Sequence, residues 1–283
     1  MEKIKITCDS TCDLTPELYE KYNIHVTPIN VTLGEAIHRD GMDITTQQVF
    51  DYVAETGVLP KTSAMPMADY AEVFKAYVDE GYTVIHISLS SHLSATHQNA
   101  KLAAEDVGNV YVVDSMNLST GSGHLVLAAA EMAEAGTPAA EIVAELEEMK
   151  TRLDVSFVIQ TLDYLKKGGR CSGVVALAAT ALQLRPEIVV VDGGMKVAKK
   201  YRGSMEKSIT DYVRGRLAGR DDIQHNRIFI THSYAPAEIV EKVKALVAEL
   251  QPFAEIIETK AGCTISSHCG PACLGVLFFR RKK

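Results

Sequence analysis

Residues 82–100 read YTVIHISLSSHLSATHQNA. Val84, Ile85 and Ile87 form a β-branched apolar run of the kind that suits a buried strand. Ser88, Ser90, Ser91, His92, Ser94, Thr96 and His97 then crowd a turn, and a helical pattern follows from Ser94 to Ala104. Strand, hydroxyl-rich turn and helix make a βα unit, and units of this kind join parallel strands. Two more follow the same plan. KIKIT at 3–7 leads to Thr15-Pro16, which reads as an N-cap and first helical residue, and NVYVVD at 109–114 leads to the alanine-rich helix GHLVLAAAEMAEAG at 123–136. A further helix, TPAAEIVAELEEMKTRL at 137–153, closes this first unit.

The second half changes character. VSFVIQ reads as a strand and LDYLKK as a short helix ended by Gly168 and Gly169. SGVVALAATALQL is almost uniformly apolar, which predicts a helix buried on most sides. EIVVVDGGMKVAKKY places Asp-Gly-Gly between two strand-like runs, a hairpin signal. A helix at 205–218, the strand RIFITHS, the helix APAEIVEKVKALVAEL and the strand AEIIETKA come next. GCTISSHCGPACLGVLFF reads as a polar loop running into an apolar strand. The expected fold is α/β with two domains: an N-terminal, mainly parallel α/β/α sheet domain over 1–153 and a C-terminal α+β mixed-sheet domain over 154–283.

A length of 283 residues is enough for two such domains, and 47% hydrophobic with 23% charged residues is ordinary for a soluble globular chain. A net charge of -7 argues against non-specific nucleic-acid binding, which needs a basic surface. MEKIKITCDS turns polar too soon for a secretory leader, and no apolar run is long enough to span a membrane. The six cysteines, Cys8, Cys12, Cys171, Cys263, Cys269 and Cys273, are therefore expected as free thiols in a cytoplasmic protein.

In an open parallel sheet, ligands bind beyond the carboxyl ends of the strands. Ser94, Ala95 and Thr96 would offer free backbone N–H groups there, at a helix N-terminus suited to a carboxylate or phosphate. The simpler reading, favoured by this stretch alone, is that Ser94 is a plain cap worth about 1 kcal/mol. STGSGHLV has Gly121 and Gly123 but Val126 where a dinucleotide fingerprint needs its third glycine, and no P-loop occurs. No G-x-S-x-G elbow is present. Cys263, His268, Cys269 and Cys273 lack a C-x-x-C pairing, so buried thiols are favoured over a metal set.

Seven stretches in order, DSTCDL, KTSAMP, SSHLSATHQNA, VVDSMNLSTGSG, LKKGGRCSG, RPEIVVVDGGMKVAKKYRG and HCGPACLGVLF, resemble the DegV family. These are the fatty-acid-binding proteins that include the FakB subunit of bacterial fatty acid kinase. The resemblance implies a long-chain fatty acid enclosed between the two domains, with no cofactor, no metal and no chemistry by this chain alone. It implies Thr62, Ser94 and His268 at the carboxylate, with Ala95 standing where the family has glycine. It implies Arg170 and Arg202 at the phosphate or the partner. The implied partners are an ATP-binding kinase subunit and an acyltransferase of phospholipid synthesis. Met65 and Ala272 also depart from the family pattern.

Each residue has a plainer reading. Thr62 caps a helix beginning near Met67, His268 is a loop residue, and Arg170 complements a helix C-terminus. The apolar helix at 173–184 is the expected tunnel wall, with VLAAA at 126–130 and methionines as further lining. Lys166, Lys167, Arg170, Lys199, Lys200 and Arg202 are read as a basic face, solvated or docking a partner. The alternative to a carrier is a transferase or hydrolase acting on an anionic substrate at the same turns.

Overall fold

A computed structural model describes residues 2–172 and 184–282. In chain order the strands are β1 Ile4–Asp9, β2 His25–Thr27, β3 Asn30–Leu33, β4 Ala36–Arg39, β5 Lys61–Ser63, β6 Thr83–Ser88, β7 Val110–Asp114, β8 Leu153–Val158, β9 Cys171–Ser172, β10 Leu184–Val191, β11 Gly194–Arg202, β12 Ile223–His232, β13 Glu255–Lys260 and β14 Leu274–Arg280. The helices are α1 Pro16–Lys21, α2 Thr46–Thr56, α3 Met67–Asp79, α4 Thr96–Val107, α5 Ser119–Glu134, α6 Ala139–Met149, α7 Asp163–Gly168, α8 Met205–Leu217, α9 Ala237–Leu250 and α10 Cys263–Cys269. The apolar run expected as a tunnel wall at 173–184 lies, apart from Leu184, outside the described residues.

The three strands read as βα units lie in one parallel sheet, in the order β2-β1-β6-β7. Every residue of β6 is buried, as a central strand covered on both faces requires. The alternation of the strand sorts its side chains. Val84 and His86 face Tyr70 and Phe74 of α3, and Ile85 and Ile87 pack with Leu125 and Leu127 of α5. This is the expected α/β/α domain, with one addition. A three-stranded antiparallel sheet, β4-β3-β5, precedes α3 and brings Thr62 to the carboxyl edge of the parallel sheet.

The second half forms a mixed seven-stranded sheet, β13-β12-β14-β8-β10-β11-β9. Tyr212 and Val213 of α8 and Val240 and Val243 of α9 cover one face. The other face meets α5, whose residues Ser119–Ala130 are all buried; Leu125 and Leu127 share one core with Val155, Phe229, Leu277 and Phe279. VLAAA therefore fills the core between the two sheets and does not appear in the cavity described below. The glycines of STGSG serve the same packing. A Cβ at Gly123 would stand 2.8 Å from the Cys12 carbonyl oxygen, and one at Gly121 would stand 2.9 Å from Val155 Cγ2.

Two joints fix the halves. Asp192 (φ 50) and Gly193 (φ 77) make the tight turn of the β10–β11 hairpin, the geometry that matches strand twist. The tip accepts a hydrogen bond at the Gly193 carbonyl from Ser90 Oγ at 2.7 Å. At the second joint, Ser119 Oγ donates to Asp13 Oδ2 at 2.5 Å and Gly262 N donates to Asp13 Oδ1 at 2.9 Å. Asp40 accepts from Cys263 N at 2.8 Å and Thr264 N at 3.0 Å. The first N–H groups of α10 thus end on carboxyl oxygens from the other half of the chain, which satisfies donors that have no partner inside the helix. The segment read as a polar loop is helical for this reason.

Burial, opposed by those two hydrogen bonds and reinforced by Asp40, raises the Asp13 carboxyl from 3.8 to about 8. The folded protein therefore keeps a proton that the unfolded chain releases, so this group's stabilisation is full below pH 3.8 and is lost as pH rises to about 8. Asp13→Asn should gain stability on the wild type between pH 5 and pH 8, with a constant difference above that. Thermal melts across this range check it; parallel melting curves would rule out the raised carboxyl.

Candidate functional site

At the carboxyl edge of the parallel sheet, facing α10 and β11, lies a cavity of about 240 Å³. Thr62, Ser94, Ala95, Arg170 and His268 all line it. The residues implied at a carboxylate, scattered over two hundred positions of sequence, are thereby brought together.

His268 belongs to α10, whose sequence CTISSHC sorts by helical geometry. Residues four apart share a face. Thr264 and His268 form a polar ridge along the cavity, and Ile265 and Cys269 form an apolar ridge beside it. Ser266 and Ser267 spend their hydroxyls on the backbone, at Ala261 O (3.1 Å) and Cys263 O (2.7 Å).

Thr62 does not cap α3, whose N-cap is Pro66 with no side-chain bond. Its Oγ1 sits 2.8 Å from His268 Nε2. Burial first, then the charge of Arg170, lowers the imidazole from 6.5 to about 4, so His268 is neutral at pH 7. Its Nδ1 is buried with no hydrogen-bond partner among the described residues, and an N–H there would be a stranded donor. The neutral tautomer protonated at Nε2 avoids this. In that form the ring donates to Thr62, and the Thr62 hydrogen is left for a guest.

Ser94 is not the N-cap of α4; Ala95 holds that place, in helical conformation. Ser94 Oγ instead accepts from Thr96 N at 3.3 Å and from Thr96 Oγ1 at 2.5 Å. Those two bonds occupy the oxygen's lone pairs and leave its own hydrogen to face the cavity. Ala95 is exposed at the rim.

Arg170 follows Gly169, which ends α7 at φ 69 in the left-handed region that glycine adopts freely. Its guanidinium donates to Gly168 O at 2.5 Å and reaches Leu93 O at 3.5 Å, so it lies across the rim. Among the described lining residues it is the one permanent charge, which makes the site attractive to an anion. Arg202 is elsewhere: it lines a separate groove of about 610 Å³ with Lys199, Lys200 and Lys207. Lys166, Lys167, Arg170, Lys199, Lys200 and Arg202 are all exposed.

The rest of the cavity is apolar, with Leu89, Leu118, Met195 and Ile265 among its walls. Leu118, Ile265 and Cys269 also bound a second void of about 20 Å³ that runs between α5 and the mixed sheet, past Val155, Phe157 and Leu277. Thr264 was not singled out by any motif; only the i, i+4 spacing to His268 signals it, and that spacing has meaning only once the segment is known to be helical. Three other histidines near this edge have partners: His97 Nδ1 lies 2.9 Å from Ser88 Oγ, His124 Nε2 lies 2.9 Å from Leu277 O, and His232 Nε2 lies 3.2 Å from Glu258. All six cysteines are buried, and none of them forms a disulfide.

A Cβ at Gly168 would stand 2.5 Å from His268 Nδ1. Gly168→Ala should therefore displace the ring, break its bond to Thr62 and let it titrate nearer its ordinary value of 6.5 than the wild type's value of about 4. NMR titration of the imidazole follows this directly. A wild-type midpoint near 6.5, or a variant identical to it, would contradict the packing.

The chain is similar to known proteins over nearly its whole length. A DegV domain-containing protein of Caldanaerobacter subterraneus is 33% identical over 98% of this chain and 99% of its own. A DegV family protein from Thermus thermophilus, whose structure is described as showing fatty acid binding, superposes with a TM-score of 0.87 at 33% identity, over 99% of this chain and 100% of that one. A stearic acid-binding protein from Eubacterium ventriosum gives a TM-score of 0.85 at 27% identity, over 99% and 98%. The model of the DegV family, described as a family of uncharacterised proteins, matches residues 3–281, and the chain belongs to that family.

Proposed function

We propose that this chain is a carrier of long-chain fatty acids that buries the acyl chain between residues 1–153 and 154–283 and presents the carboxylate to a separate kinase subunit. The observation that carries this reading is the cavity itself. Thr62, with His268 behind it, and Ser94 bring hydroxyl donors to its lining, and Leu89, Leu118, Met195 and Ile265 give it apolar walls. The fatty-acid-binding relatives of the same fold support it.

The energetics fit reversible holding. Burying a carboxylate costs several kcal/mol unless it is satisfied, and each hydrogen bond to the charged oxygen returns about 1.5–3 kcal/mol. Two hydroxyls and one or two further donors are sufficient. Each buried methylene adds about 0.8 kcal/mol, so the chain supplies most of the affinity. A cavity of about 240 Å³ takes the head group and the start of a chain; the void beyond it, about 20 Å³, holds little more than a water, so a full tail requires the side chains around Leu118, Ile265 and Cys269 to move apart.

In this reading Arg170, at the rim, meets the phosphoryl group as it arrives. Arg202 and its neighbouring lysines form the docking face for an ATP-binding kinase subunit. The acyl phosphate then passes to an acyltransferase of phospholipid synthesis, and the cycle runs in the cytoplasm. Among the described residues no helix is long and apolar enough to cross a membrane. Neither a cofactor nor a metal has a part in the scheme.

Mass spectrometry of an organic extract of the protein purified from cells should find one fatty acid per chain. A protein that is empty and takes up no added fatty acid would return Ser94 to a purely structural role. Ser94→Ala should weaken fatty-acid retention about ten-fold or more, the loss expected for one hydrogen bond to a charged group, and His268→Ala should weaken it by releasing Thr62 from the bond that holds it. Arg170→Ala and Arg202→Ala should bind lipid normally but fail in acyl-phosphate formation with the kinase subunit. Arginine variants that lose lipid but keep coupling would reverse those assignments.

A further inference from the structure

The polar ridge of α10 carries a second group, one turn before His268. Thr264 lines the cavity and is only 4% exposed. Its backbone N–H is taken by Asp40 Oδ2 at 3.0 Å. Its Oγ1 is buried with no hydrogen-bond partner among the described residues.

Thr264 is the second residue of α10, so the carbonyls that a helical threonine's hydroxyl usually reaches precede the helix. Such a hydroxyl commonly bonds a carbonyl three or four residues back. Three residues back is Ala261, whose oxygen already accepts from Thr46 Oγ1 at 3.1 Å and Ser266 Oγ at 3.1 Å. A carbonyl oxygen has two lone pairs, and both are used. The neighbouring Ser266 and Ser267 have found backbone acceptors while Thr264 has not. A buried hydroxyl left unpaired is destabilising, and the open side of this one is the cavity.

We propose that Thr264 is a further ligand-binding residue, its hydroxyl donating to the inner oxygen of the guest's carboxylate while Thr62 and Ser94 donate to the rest of the group. The inference rests on the fatty-acid reading above and adds a contact to it. A carboxylate offers about four acceptor positions, enough for all three hydroxyls. Thr264 is also the donor whose place is set most firmly by the joint between the halves, through Asp40.

The test compares Thr264→Val and Thr264→Ala with Thr264→Ser, using lipid-stripped protein and two probes, palmitate and its methyl ester. Valine keeps the shape and removes the hydroxyl, so the empty variant should melt at or above the wild-type temperature. Its palmitate affinity should fall about ten-fold, as expected for one lost bond to a charged acceptor, with a smaller loss for the uncharged ester. Serine should stay near the wild type, and alanine should repeat the valine result if valine fails to fold. Palmitate affinity unchanged in the valine and alanine variants, or equal losses for both probes, overturns the contact while leaving the fatty-acid reading standing. A wild type that takes up neither probe overturns the fatty-acid reading and the contact together.

Discussion

Two buried carboxylates, Asp13 and Asp40, hold the start of α10, and the site depends on that hold. A helix of seven residues is far below the length of about 12–15 at which isolated helices become even marginal. Cys, Thr, Ser and His are also middling or poor helix formers. The segment coils because its first N–H groups find acceptors in the other half of the chain. His268 and Thr264 then point into the cavity as a consequence of helical spacing. The contact that joins the two halves is therefore the contact that assembles the head-group end of the site.

This explains which parts of the molecule were legible in the chain. β6 shows as a run of β-branched residues because both its faces are covered. The β10–β11 hairpin shows because its turn needs two left-handed residues, and Asp-Gly supplies them. α10 was hidden: nothing within CTISSHC marks a helix, and the acceptors that create it lie more than two hundred residues away. The β4-β3-β5 sheet was hidden too, since strands of three or four residues carry too little periodicity to register. Thr62, Ser94, Arg170 and His268 were found through resemblance, and their meeting around one cavity follows from the fold alone. Arg202 travelled with them in sequence but not in space.

The glycines show the same division between local and distant causes. Gly121 and Gly123 look like part of a nucleotide loop when read along the chain, yet their lack of a side chain serves α5, which is wedged between two sheets. Gly168 looks like half of a loop dipeptide. Gly169 is the residue that needs the left-handed conformation; Gly168 is small because His268 Nδ1 lies against it. For Gly123 and Gly168 the neighbour that excludes a Cβ lies far along the chain, whereas Gly121 is crowded by Asn117 of its own turn as well as by Val155.

The charge arrangement bears on what the site can do. An arginine paired bidentately with a carboxylate gives a strong, charge-assisted contact, which suits retention more than transfer. Here the donors around the buried end are neutral, because desolvation and the nearby guanidinium keep His268 uncharged. The permanent cation is kept at the rim, tied to the Gly168 and Leu93 carbonyls. On the carrier reading this separates two tasks. Neutral donors would hold a carboxylate without cancelling its charge and so leave it able to attack an incoming phosphoryl group. In the proposed scheme the arginine would meet the charge that arrives with that group, not having first been consumed by the guest.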